Sequence, residues 1–177
     1  YRWDPDLMVK VSRRGSELLL SADMRERLAV YAGKLEELTN ASEGRRRMSA
    51  GTFLSPLFAH ALARGGDPVA ENQALLLALS LYALQIDPGQ LLDHVDAVSL
   101  PRIQHELQFY RRKDLAQHFF MAIGLTLGAD AGLANNIGLL KEFEDTRGTG
   151  SGFSFTDIGA DRMGMRFAEF AVASSQS

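Results

Sequence analysis

The chain contains no cysteine in 177 residues. That absence removes disulfides, thiolate catalysis, Fe–S clusters and Cys-type zinc sites together, and it leaves cytosol and periplasm both open. Neither sign of charge dominates. Nineteen Lys and Arg face 22 Asp and Glu, a net charge of −3, so no global basic field exists to hold nucleic acid or an acidic membrane. The local runs Arg45-Arg46-Arg47 and Arg111-Arg112-Lys113 have no interleaved aromatic platform and read as solvated loop or helix-end charge. Long apolar runs are missing too. Residues 75–86 are interrupted by Ser80 and Gln85, and residues 119–140 by Asp130, Asn135 and Asn136. A spanning helix needs about 20 consecutive apolar residues, so both stretches are expected as buried core helices and no transmembrane segment is expected.

Familiar catalytic signatures are absent as well: no HExxH, Walker loop, GxSxG or dinucleotide fingerprint occurs. Gly148-Thr149-Gly150-Ser151-Gly152 has the composition of a phosphate cradle, but without a following Gly-Lys-Ser it reads as a flexible loop. The chain opens on Tyr1 instead of methionine, so removal of a preceding segment is expected, by processing or by the choice of expressed boundaries, with a lost signal peptide as one alternative.

What remains is ordinary globular material. Hydrophobic residues make up 46% and charged residues 23%, which argues for a packed core over disorder. The length suits a single domain over 1–177, which buries roughly 70% of the surface of its unfolded chain. Residues 1–20 alternate at Leu7, Val9 and Val11 and are expected as an arm or short hairpin. Ser21 is a good N-cap, and Met24, Leu28, Ala32, Leu35 and Leu38 follow at helical spacing. After a polar loop over 40–47, Ser49 is expected to cap a helix to about Ala63, with Pro56 kinking it or marking its true first turn. Gly65-Gly66 ends that helix, and Asp67-Pro68 starts the next, which is apolar nearly all round and belongs at the centre. Asp87-Pro88 opens a short helix over 90–94, and Pro101 is a candidate start for another. Helices over 114–127, 130–147 and 154–174 complete an all-α, compact irregular bundle of six to eight helices.

The last third, 114–174, holds a polar constellation. Asp114 and His118 lie four apart on one helix, Glu142 and Asp145 three apart on the next, and Asp157 and Asp161 four apart on the last. Asn135 and Gly138 extend the second stripe, and Gly164 and Ala168 the third, and small residues let helices approach closely. If the stripes face one another, His118, Glu142, Asp145, Asp157 and Asp161 form an oxygen-rich set with one imidazole, suited to a divalent metal such as magnesium, manganese, iron or zinc. Without metal, closely spaced carboxylates would raise one pKa and place a proton donor beside a base. The plainer alternatives are caps at Asp114 and Asp157, surface pairs for Glu142 and Asp145, and a hydrogen-bonded core histidine at 118, together a structural network. His60, His94 and His105 stand alone and read as structural or exposed, and Met163 and Met165 as core filling.

Three segments in order, Asp114-Leu-Ala-Gln-His118-Phe119, Lys141-Glu142-x-x-Asp145 and Phe153-Ser154-Phe155-Thr156-Asp157-Ile158-x-Ala160-Asp161-x-x-Gly164, resemble the pattern of VanZ-like and YfiM-type bacterial envelope proteins. The likeness covers about 114–168. It implies a helical, envelope-associated protein in which the five polar residues act as one unit. The N-terminal half has no counterpart in that pattern. Three functional expectations follow: a non-catalytic envelope or interaction protein with a structural cluster, a metal-dependent hydrolase using that cluster, or a binder of an apolar ligand or lipid between its helices. A periplasmic or envelope setting goes with the resemblance, with cytoplasm as the alternative.

Overall fold

Local signals in the sequence place most of the helix boundaries. The computed structural model describes residues 21–86, 100–101, 105–130 and 155–173. Helix α1, Ala22–Asn40, begins where Ser21 accepts a hydrogen bond from the Met24 amide at 3.1 Å. Its buried stripe is Met24, Leu28, Tyr31, Ala32, Leu35 and Thr39. Strand β1, Arg47–Ser49, precedes helix α2, Gly51–Arg64, whose inner stripe is Phe53, Leu57 and Ala61. The expected Ser49 cap is not there: Ser49 is the last strand residue, and Ala50 precedes the helix without a side-chain cap. The Ala50 amide donates instead to the Gln108 carbonyl at 3.1 Å, so the sheet supplies an acceptor at this helix start. Pro56 lies inside α2 beyond its first turn, so it does not mark the start.

Gly65 ends α2 at φ 66°, a left-handed conformation that suits glycine. Helix α3, Pro68–Leu84, starts as its Asp-Pro pair predicts, with Asp67 accepting from the amides of Val69 at 3.3 Å and Ala70 at 3.4 Å. It closes on Gln85 at φ 63°, where the Ile86 amide reaches the Leu81 carbonyl at 3.0 Å in a Schellman-type turn. Every residue from Ala74 to Ser80 is buried, and α3 packs on α1 and α2 as well as on α4, Lys113–Asp130, and α5, Phe155–Ala171. It is the central helix, as its all-round apolar surface predicts.

Among the described residues the all-α expectation holds in the main and fails at one place. Strand β2, Glu106–Gln108, pairs in parallel with β1, aligning Met48 with Leu107. Both of those side chains are buried while their strand neighbours are not, the period-2 pattern of a half-buried pair. The parallel pairing needs the long crossover through α2 and α3, so no local spacing announces it. Over 106–112 a strand and a turn stand where Pro101 was a candidate helix start. The described residues carry five helices, short of the six to eight expected. The expected arm over 1–20, the short helix over 90–94, the helix over 130–147 and the glycine loop over 148–152 lie outside the described residues.

Two details stabilise the sheet end. His105 is buried, its Nδ1 facing the Arg45 carbonyl and its Nε2 the Thr39 carbonyl at 3.2 Å, so it ties the loop after α1 to β2. After β2, Phe109 and Arg112 exchange backbone bonds at 3.1 and 2.8 Å around Tyr110 at φ 50° and Arg111 at φ 64°. Positive φ at both central residues marks a type I′ turn, built here without glycine or asparagine, at a cost of roughly 1 kcal/mol per residue.

Candidate functional site

Helices α4 and α5 cross with almost no space between their backbones. A Cβ added at Gly164 would stand 2.4 Å from the Phe119 carbonyl oxygen and 2.9 Å from the Ala122 Cβ. Ala160, Gly164 and Ala168 form the small, buried stripe of α5. Asp157 and Asp161 continue that stripe toward the helix start, and this close crossing brings them to His118, itself 4% exposed. His118 Nδ1 donates to Asp161 Oδ1 at 2.9 Å, and Nε2 lies 3.7 Å from Asp157 Oδ1. The imidazole is therefore hydrogen-bonded to one carboxylate of the facing helix and lies close to a second, one helical turn away.

Arg112 closes the outer edge. It grips Asp114 with two guanidinium nitrogens, one at 3.1 Å, stands 3.9 Å from Asp157 and donates to Thr156 Oγ1 at 3.3 Å. The Arg112 hydrogen bond holds the Asp114 carboxyl below the usual carboxylate range against a smaller upward push from burial, with the Leu115 amide adding to the lowering. Asp114 is thus both the first-turn acid of α4 and the partner of the turn that precedes it.

Of the five residues expected to share a metal, His118, Asp157 and Asp161 come together, while Glu142 and Asp145 lie outside the described residues. Among the described residues no group of three or more His, Asp or Glu side chains is arranged to hold a metal ion. What spans the helix crossing is the hydrogen bond from His118 to Asp161, with the Asp157 carboxylate 3.7 Å from the other ring nitrogen.

A second polar centre was not anticipated from the sequence. Glu71, 1% exposed, sits among Arg27, Arg64 and Tyr31. Tyr31 donates to Glu71 Oε2 at 2.5 Å, Arg64 Nε donates to the same oxygen at 2.9 Å, and Arg27 Nη1 donates to Oε1. Burial pushes the Glu71 carboxyl up, but the Tyr31 hydrogen bond and the Arg64 and Arg27 charges outweigh it, and the net shift is downward. Burial, then the Glu71 hydrogen bond, pushes the Tyr31 phenol up. Gly66 leaves room for the cluster, since a Cβ there would stand 2.9 Å from Glu71 Oε1. Three helices and the α2–α3 junction converge on one carboxylate. The signal was available: Glu71 shares the α3 stripe of Leu75, Ala78 and Tyr82, and a lone acid on a buried stripe requires cationic partners.

No family model, curated protein or solved structure matches this chain. Among the described residues no helix is long and apolar enough to cross a membrane.

Proposed function

We propose that this chain is a non-catalytic interaction protein of the bacterial envelope, in which the His118/Asp157/Asp161 cluster fastens the last helix to the body. The envelope setting is proposed from the resemblance of residues 114–168 to VanZ-like and YfiM-type proteins. The observation that carries the structural role is the burial of His118 and its hydrogen bond to Asp161 at the tight crossing of α4 and α5. A catalytic histidine needs a face open to substrate, and this one is spent on holding α5. Hydrogen bonds to charged groups contribute about 1.5–3 kcal/mol each, enough to decide whether one helix stays docked.

The test pairs elemental analysis with melting. His118→Ala and Asp161→Asn should each lower the melting temperature, and the double variant should lose less than the sum, since both remove one interaction. Wild-type protein incubated with zinc, manganese or iron should retain no stoichiometric metal after dialysis. Bound metal that disappears in His118→Ala would put the metal-dependent hydrolase first, and a His118→Ala protein of unchanged stability would refute the structural reading.

A further inference from the structure

The exposed apolar residues are not scattered. Seven large hydrophobics are exposed among the described residues, and five of them, Phe155, Ile158, Met163, Met165 and Phe170, lie on α5, so the two methionines expected in the core are on the surface. Phe155 is 94%, Phe170 82% and Met163 64% exposed. At about 100° per residue these three fall within roughly 80° of one another around the helix, along a ridge of about 22 Å. Of the other two exposed hydrophobics, Tyr110, 92% exposed, stands on the strained turn tip, which the Arg112–Thr156 hydrogen bond fixes beside the first turn of α5.

This helix carries a net positive charge on its exposed face, two arginines against one glutamate. Its two aspartates turn inward to His118, while Arg162 and Arg166 are exposed alongside the ridge, with Glu169 the one acid on the outer side. Isolated exposed apolar side chains are ordinary, but an aromatic and methionine ridge carrying cations is a binding surface in search of an apolar, anionic partner. A second copy fits poorly. An antiparallel match of Phe155 to Phe170 centres the pair on Arg162 and Met163 and crowds the cations of both copies, and a parallel match sets Arg on Arg. A folded protein partner would need a groove shaped to this convex ridge. A bilayer interface needs no such shape: it admits Phe, Tyr and Met side chains at the headgroup boundary and attracts arginine to anionic lipid.

We propose that the outer face of α5, with Tyr110 at its end, docks on an anionic lipid surface through Phe155, Met163 and Phe170 and through Arg162 and Arg166. The proposal rests on the interaction-protein reading above but not on the role of His118. This local patch acts without a global basic field, so its affinity depends on salt.

Flotation of the full chain with phosphatidylcholine vesicles, with and without phosphatidylglycerol, tests it. Binding is expected to the anionic vesicles, to fall as salt rises, and to weaken about 30-fold in R162S/R166S. F155S/F170S should abolish it; all four sites are exposed, and circular dichroism checks that each variant folds. Three results would overturn the proposal: equal binding to both vesicle types, no binding to either, or a concentration-dependent dimer that F155S/F170S converts to monomer. Wild-type protein that fails to bind vesicles while its His118 cluster passes the melting test sinks this inference alone, whereas metal lost on His118→Ala sinks the structural reading alone.

Discussion

Glu71→Gln is the most informative single substitution in the body of the protein. It keeps the shape of the side chain and removes the charge on which Arg27, Arg64 and Tyr31 converge. Breaking a buried ion pair by removing one partner destabilises by about 3–5 kcal/mol, because the other charge is left uncompensated. Here the arginine side chains are 17% and 33% exposed, so water takes up part of that cost and about 2–3 kcal/mol is expected. For a chain of this size that corresponds to a fall in melting temperature of about 4–12 °C. Urea titration at neutral pH, with Tyr31→Phe as the second arm of a double-mutant cycle, measures both the loss and the coupling. The pH dependence adds a second reading. The folded-state pKa of Glu71 is lowered, so its stabilisation is present above the ordinary value of 4.5 and is lost as pH falls through the folded value. The gap between wild type and Glu71→Gln should therefore be full at neutral pH and shrink below 4.5. A Glu71→Gln protein as stable as wild type at neutral pH, or a gap that widens in acid, would refute the argument.

Gly164→Ala should be among the most damaging small changes, since its methyl meets the Phe119 carbonyl and Ala122; overpacking of this kind costs about 1–3 kcal/mol, and a urea midpoint shift at unchanged slope would report it. Arg111→Gly should do the opposite, stabilising by about 0.5–1 kcal/mol in the same titration because glycine adopts the left-handed conformation without strain. Gly65→Ala, at φ 66°, should destabilise by about 1 kcal/mol for the reason that makes Arg111→Gly favourable.

Much of the site geometry could be read from spacing. Two aspartates four apart above Gly164 and Ala168 announce a polar pair at the head of a close-packing stripe, and His118 beside Phe119 lies where that stripe lands. The arginine at 112 could be read only as helix-end charge. Its partners Thr156 and Asp157 stand 44 and 45 positions along the chain, beyond any local pattern. Glu71 is the one charged residue of an otherwise uncharged helix, and its partners Arg27 and Tyr31 lie 44 and 40 positions away, so no local spacing marks the cluster. His105 offered no periodic neighbour at all, and its buried place between two carbonyls comes from the fold.

The amino-acid sequence by itself determined the helical character, the caps at Ser21 and Asp67, the stop at Gly65 and the central place of α3, because each depends on residues within a turn or two of one another. Only the tertiary structure decided the parallel pairing of β1 with β2, the gathering of Arg27, Tyr31 and Arg64 on Glu71, and the outward ridge of α5. Those depend on which surfaces meet once the helices pack, and burial then selects which charges must be paired and, among the described residues, which side chains stay exposed.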